Sequence, residues 1–220
     1  MKFTGDEIRK AMLLYAITDR TWLRETESLA EVCSHVLDNG ATFLQIREKD
    51  LKEDDFEREA AELKTLCEKY RVPFVVNDNV QIALDIDADG VHVGQSDIRG
   101  RDIRSIIGPD KILGISAGTV EEALEAEKAG ADYIGVGAVF GTSTKKDARN
   151  LTLEKLKEIC TAVQIPAVAI GGINKNNIKE LEGSGVDGIA VISAIFGAED
   201  PGRAAGELYK LANDMVKTNE

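Results

Sequence analysis

Short apolar runs recur along the chain, each bounded by polar turns and separated from the next by an amphipathic stretch. Leu13–Thr18, Phe43–Arg47, Phe74–Asp78, Gly90–Val93, Ile112–Ser116, Tyr133–Val136, Ala167–Ile170 and Gly188–Val191 read as strands. Between them the apolar positions change period. Leu29, Val32, Cys33, Val36 and Leu37 follow helical spacing, as do Phe56, Ala60, Leu63, Cys67 and Tyr70. Ser28 with Glu31 and Thr119 with Glu122 read as capping boxes opening two helices. Asn39-Gly40-Ala41-Thr42-Phe43, Ala129-Gly130-Ala131-Asp132-Tyr133 and Ser184-Gly185-Val186-Asp187-Gly188 each stop a helix at glycine and enter a strand one short turn later. Ile86-Asp87-Ala88-Asp89-Gly90 is a looser version of the same turn.

This echo predicts a repeated βα unit. Strands alternating with helices, all on short loops, predict a parallel sheet, and the length favours one closed (β/α)8 TIM barrel over an open doubly wound sheet. The helix-like start, Thr4 to Ala11, is expected to add an N-terminal helix capping the barrel bottom. Neither a linker nor a low-complexity stretch interrupts the pattern, so residues 1–220 read as one domain.

Composition narrows the function classes. With 43% hydrophobic and 30% charged residues the chain has the balance of a globular protein. A net charge of −12 speaks against binding nucleic acid or an anionic membrane, both of which are held by an excess of Lys and Arg. Cys33, Cys67 and Cys160 lie far apart on helical patterns without metal-ligand spacing, so buried thiols in a reducing cytoplasm are expected. The apolar run Ala11 to Ile17 is too short for a signal peptide, and no other run approaches a membrane span.

In a barrel the chemistry gathers where strands end and the following loops begin. Strand two ends in Gln45, Arg47 and Lys49, which period 2 would put on one face: an amide, a guanidinium fork and an ammonium suited to a phosphorylated ligand. Strand three ends in Asn77-Asp78, Gly94-Gln95-Ser96-Asp97 follows strand four, and strand five ends in Ser116. Thr142-Ser143-Thr144-Lys145 follows strand six and offers three hydroxyls and a cation for a second anionic group. Gly171-Gly172 after strand seven and Ile192-Ser193 after strand eight match the phosphate site that barrels build there, where backbone N–H groups and a helix N-terminus meet phosphate oxygens. Asp78 and Asp97, hard oxygen donors beside Arg47 and Lys49, suit Mg²⁺ shared with a diphosphate. His92 reads as a hydrogen-bonded structural histidine, and Thr18, Asp19 and Arg20 receive no role.

These strand ends, in this order, resemble the thiamin phosphate synthase family. The resemblance runs from Tyr15-Ala16-Ile17-Thr18-Asp19 to Val191-Ile192-Ser193-Ala194-Ile195. It is carried by Gln45-Ile46-Arg47-Glu48-Lys49, Asn77-Asp78, Asp89-Gly90-Val91-His92-Val93-Gly94-Gln95-Ser96-Asp97, Thr142-Ser143-Thr144-Lys145 and Gly171-Gly172-Ile173. It implies an enzyme that joins a hydroxymethylpyrimidine diphosphate to a thiazole phosphate and releases diphosphate. On that resemblance Gln45, Arg47, Glu48, Lys49, Asn77 and Ser116 are expected around the pyrimidine diphosphate, and Asp78 and Asp97 on Mg²⁺. Thr142, Ser143, Thr144, Gly171, Gly172, Ile192 and Ser193 are expected around the thiazole phosphate, with Lys145 reaching towards the diphosphate. Arg47, Lys49, Ser116 and Lys145 are the catalytic candidates. Two departures from the family pattern, Gly118 and Gly141, bear on loop geometry rather than on these residues.

The strand ends present no nucleophile paired with a base, so the residues favour positioning and stabilisation of a departing diphosphate over a covalent intermediate. A thiazole tautomerase-like relative and a non-catalytic phosphate-binding barrel are the alternatives. The first needs no diphosphate–metal site, which the set Arg47, Lys49, Asp78, Asp97 and Lys145 disfavours. The expected partners are small molecules, with a homo-oligomer allowed.

Overall fold

A computed structural model describes residues 3–97, 101–141 and 151–218. The strands are β1 (Leu14–Ile17), β2 (Phe43–Ile46), β3 (Phe74–Asn77), β4 (Gly90–Val93), β5 (Ile112–Ala117), β6 (Tyr133–Gly137), β7 (Ala167–Ile170) and β8 (Gly188–Val191). All pair in parallel with their neighbours in sequence order, and β8 returns to β1 through Tyr15 opposite Ala190. The sheet is therefore the closed barrel rather than the open alternative.

Each strand is buried on both faces, which is why its sequence reads as a nearly continuous apolar run. In β1, Leu14 and Ala16 pack outwards against the helices while Tyr15 and Ile17 point into the barrel. Phe43, Val75, Ile112, Tyr133, Val168 and Ala190 complete the inner layer. The rings of Tyr15 and Phe43 lie 4.4 Å apart, and Tyr133 meets Tyr15 edge-on at 5.8 Å. Helix α1 (Gly5–Ala11), opened by a capping box between Thr4 and Glu7, sends Ile8 into this layer, with Met12 just beyond its end. Both are fully buried, so the extra helix does plug the barrel bottom.

The outer ring holds α2 (Leu29–Asp38), α3 (Glu53–Tyr70), α4 (Val80–Asp85), α5 (Ile103–Ile107), α6 (Val120–Lys128), α7 (Leu153–Ala162), the single turn α8 (Ser193–Phe196) and α9 (Pro201–Lys217). Ser28 and Glu31 form the expected box at α2. At α6 only half of one forms: Thr119 accepts from Glu122 N, but the Glu122 carboxylate accepts from Gly118 N at 2.6 Å, one residue outside the box. Between β7 and β8 a 3-10 turn, Ile178–Leu181, replaces a full helix. There Asn174 and Asn177 spend their side chains on each other's segment and on Gly172 O, and such local bonds compete with helix formation. Of the three thiols, Cys33 and Cys67 are buried and Cys160 is only partly so. Burial holds the thiols of Cys33 and Cys160 above their ordinary value, the latter at about 12.

The repeated turn has a second function that its sequence did not reveal. Gly40, Gly130 and Gly185 take positive φ, and Asp87 takes φ 54° in the looser copy. Two residues after each of these, a side-chain oxygen reaches across to the start of the preceding strand. Thr42 Oγ1 accepts from Leu14 N at 2.8 Å, and Asp89 Oδ2 from Phe74 N at 3.0 Å. Asp132 Oδ2 accepts from Leu113 N and Asp187 Oδ2 from Ala167 N, both at 2.8 Å. Each even-numbered strand thus clasps the odd-numbered one before it at the barrel bottom.

Thr42→Val keeps the shape and the β-branch but leaves the buried Leu14 N–H without its acceptor. We expect a loss of about 1–3 kcal/mol in denaturant unfolding, with Thr42→Ser losing clearly less. Equal losses in the two variants would show that packing, not the clasp, sets the cost.

Candidate active site

Because the strands are parallel and the ring is closed, their carboxyl ends share one rim. That rim carries Gln45 and Arg47 at β2, Asn77 and Asp78 at β3, Asp97 in the loop after β4, Ser116 in β5, Gly171 and Gly172 after β7, and Ile192 and Ser193 after β8. Thr142, Ser143, Thr144 and Lys145 lie outside the described residues.

Strand β2 stops at Ile46, so the alternation expected of Gln45, Arg47 and Lys49 does not carry through. Gln45 is buried inside the barrel, where its Nε2 donates to Tyr15 Oη. Arg47 is half-buried just beyond the strand, its N–H donating to Thr18 Oγ1 at 2.9 Å, and Lys49 is exposed in the loop. Thr18, which the sequence left without a role, therefore fixes the backbone of Arg47 from just beyond the end of β1.

Glu48, expected among the ligand contacts, lines one cleft with Lys49, Asn77 and Asp78 and is also held by an ion pair. Arg20 Nε lies 3.0 Å from Glu48 Oε2, and Arg20 Nη2 lies 2.6 Å from Glu59 Oε1 on α3. One guanidinium faces two carboxylates, and the Glu48 side chain is only 2% exposed. The Nε approach is an ion pair but is not aligned as a hydrogen bond, so Arg20 Nε, Glu48 Oε1 and Glu59 Oε2 are buried without a hydrogen-bond partner. Burial, with a further push from Glu59, raises the Glu48 carboxyl from 4.5 to about 7 against the opposing pull of Arg20. A proton held between the two carboxyls would supply the donor the cluster lacks.

At β3 the chain turns sharply. Asp78 sits at φ 60°, a left-handed conformation that aspartate tolerates better than most residues. Its N–H donates to His92 O at 2.9 Å, and Asn79 then caps α4 through Ile82 N. The turn exposes the Asp78 side chain at the mouth of a cleft of about 460 Å³. Lys49, Asn77 and Asp78 line it together with Gln81 and Arg101. Neither Gln81 nor Arg101 was singled out in the sequence. Arg101 comes four positions after Asp97, beyond the segment Gly94-Gln95-Ser96-Asp97 that follows strand four.

Asp97 Oδ2 accepts from Gly94 N at 2.9 Å, which fixes the carboxylate at the start of its loop. Among the described residues no group of three or more His, Cys, Asp or Glu forms a metal cage. Two carboxylates on one rim nonetheless suit Mg²⁺, which retains waters and shares a substrate's phosphates rather than relying on protein ligands alone.

At β7, Gly171 and Gly172 take φ of 102° and 68°. A Cβ on Gly172 would run into the carbonyl oxygen of Gly141, so the glycine is required by the neighbouring loop as well as by any ligand. Ser193 is exposed at the start of α8, but one turn of helix supplies little of the dipole expected there. A larger groove lies outside the barrel between His35, Asn39, Asp200 and Arg203, and no strand-end residue lines it.

The family model described as thiamine monophosphate synthase matches residues 14–195, the whole ring of strands. The chain belongs to the thiamine monophosphate synthase family. A thiamine-phosphate synthase of Clostridium tetani is 48% identical over 91% of this chain and 96% of its own, and one of Clostridium beijerinckii 49% identical over 93% and 96%. The solved thiamine phosphate pyrophosphorylase of Pyrococcus furiosus is 44% identical and superposes with a TM-score of 0.87, covering 95% of this chain and 99% of that one. Membership makes the protein an enzyme of thiamine biosynthesis, a transferase. No helix among the described residues is long and apolar enough to cross a membrane.

The raised Glu48 carboxyl has a sign that can be measured. Its stabilising contribution is complete below about 4.5, where both states are protonated, and is lost as pH rises through 7, where the folded protein must ionise a buried acid. Wild-type stability is expected to fall by roughly 1–3 kcal/mol across that window, and Glu48→Gln to flatten the dependence. Denaturant midpoints measured at several pH values would show it. An equally steep fall in the variant would move the cause away from Glu48.

Proposed function

We propose that the rim joins hydroxymethylpyrimidine diphosphate to thiazole phosphate, giving thiamin phosphate and diphosphate. The observation that carries this reading is the gathering of Gln45, Arg47, Asn77, Asp78, Asp97 and Ser116 at one rim, with Lys49, Asn77 and Asp78 around one cleft. Family membership supports the same reaction.

On this reading Gln45, Asn77 and Ser116 hold the pyrimidine end, while Arg47 and Lys49 meet the diphosphate. Arg47, tethered through its backbone to Thr18, offers a planar fork; Lys49, on a freer loop, offers a point charge. Asp78 and Asp97 would hold Mg²⁺. Bound there, the ion would offset negative charge on the departing diphosphate. The carbon–oxygen bond to diphosphate breaks first, the aminopyrimidine ring sharing the positive charge left behind, and the thiazole nitrogen then bonds to that carbon. The protein needs no base for this. It orients two substrates and favours charge on the leaving group. Thr142, Ser143, Thr144, Gly171, Gly172, Ile192 and Ser193 are assigned to the thiazole phosphate, and Lys145 to the diphosphate. Buried thiols and the acidic chain fit a cytoplasmic setting.

Mixing the purified protein with both substrates and Mg²⁺ should yield thiamin phosphate, identified by mass; absence of product under saturating conditions sinks the reading. Asp78→Asn keeps the side-chain shape and should lower turnover by roughly 10²–10³, partly recovered by added Mg²⁺. Normal turnover of that variant at limiting Mg²⁺ would make Asp78 an ion-pair partner only. Ser193→Ala should weaken thiazole phosphate in calorimetry and leave the pyrimidine diphosphate unchanged. Equal weakening of both would overturn the division of the rim into two halves.

A further inference from the structure

A file of polar side chains crosses the otherwise apolar barrel interior. Gln45 Nε2 donates to Tyr15 Oη, which lies 2.8 Å from Tyr133 Oη. Tyr133 Oη lies 2.9 Å from His92 Nδ1, and His92 Nε2 lies 3.0 Å from Ser116 Oγ. Tyr15 and Tyr133 are almost completely buried, and burial raises both phenols above their ordinary range, so each keeps its single proton. Gly114 makes the room: a Cβ there would collide with the Tyr133 hydroxyl and with His92 Nδ1, 2.6 Å away.

Counting protons along the file gives it a direction. The amide nitrogen of Gln45 can only donate, so Tyr15 Oη accepts and passes its proton to Tyr133. Tyr133 in turn donates to Nδ1 of His92. A neutral imidazole that accepts at Nδ1 carries its proton on Nε2, and that proton goes to Ser116 Oγ. Ser116 is then left with its own hydroxyl proton to give. We infer that this file orients Ser116 as a hydrogen-bond donor to an acceptor atom of the pyrimidine diphosphate, which makes Tyr15, Tyr133 and His92 positioning residues of that half of the rim. The inference rests on the assignment of Gln45 and Ser116 to that substrate. The direction itself does not, because it belongs to the protein alone. Reversing the Gln45 amide would reverse every bond in the file, move the histidine proton to Nδ1 and turn Ser116 into an acceptor.

The chain has only two histidines, so the tautomer can be read directly. In a ¹⁵N–¹H multiple-bond correlation spectrum of the labelled, substrate-free protein at mildly alkaline pH, with His35→Gln for assignment, the His92 proton is expected on Nε2. A proton on Nδ1, or on both nitrogens, overturns the inference without any need for a variant. Tyr133→Phe keeps the ring that packs on Tyr15 and Phe43 and removes the central hydroxyl. It should raise KM for the pyrimidine diphosphate about tenfold, the scale of one lost hydrogen bond, leave KM for the thiazole phosphate unchanged, and release His92 into a mixture of tautomers. A lowered melting temperature with both KM values unchanged would make the file structural only, and would overturn it. Wild-type protein with the Nε2 proton but no product would defeat the assigned reaction instead, so the two failures are distinguishable.

Discussion

Everything at the rim depends on the bottom of the barrel staying shut. A parallel strand leaves its first N–H without a partner unless something beyond the neighbouring strand provides one, and buried donors are costly to leave unmade. Here the residue that enters each even-numbered strand provides it for β1, β3 and β7, and in β5 serves the second residue, Leu113. Thr42, Asp89, Asp132 and Asp187 place an oxygen on the opening residues of the preceding strand, while α1 seals the centre with Ile8. Two of these acceptors are themselves braced by an ion pair, Asp132 by Arg104 and Asp187 by Arg9. With one end fixed in this way, the loops at the other end are free to carry polar groups chosen for chemistry.

Much of the architecture was legible in the residues. The alternating periods placed all eight strands, most within a residue of their observed ends, and the glycine turns announced the repeat. Local signals of this kind survive because a turn or cap is settled by residues three or four apart. What escaped was long-range. Arg20, Glu48 and Glu59 stand on three different segments, and nothing in Gln45-Ile46-Arg47-Glu48-Lys49 says that the glutamate pairs with Arg20. Tyr15 and Tyr133 read as apolar strand residues. Their hydroxyls acquire meaning only once the ring brings residues 118 positions apart within 2.8 Å. His92 was rightly expected to be hydrogen-bonded, yet one of its partners is Ser116, a residue of the rim itself.

The interior divides by polarity along its axis. Aromatic and aliphatic side chains fill the lower part, and Gln45, His92 and Ser116 begin the upper part, joined through two phenols that belong to both. Support for the rim comes from below through hydrogen bonds and from the side through the Arg20 cluster. Ion pairing therefore stays at the flank, next to Arg47 and Lys49, while the axis beneath Ser116 is crossed by the hydrogen-bonded file. That separation keeps the buried ion pair off the barrel axis, where a charge would be costly to desolvate.

The clasps also divide the molecule. Each joins residues 15 to 28 positions apart, and each falls within a strand pair: β1 with β2, β3 with β4, β5 with β6, β7 with β8. The ring is thus four quarters, each a strand pair holding its own clasp, joined to one another by equally continuous ladders. The two ends of the chain meet at the seam between β8 and β1 and through Arg9 on Asp187 and Arg24 on Glu199 O. A chain reopened between quarters, with its old ends fused, would keep every clasp inside an unbroken segment. One reopened within a quarter would leave its clasp to form between residues far apart along the new chain, so new ends are expected to cost more there than at the crossovers between quarters.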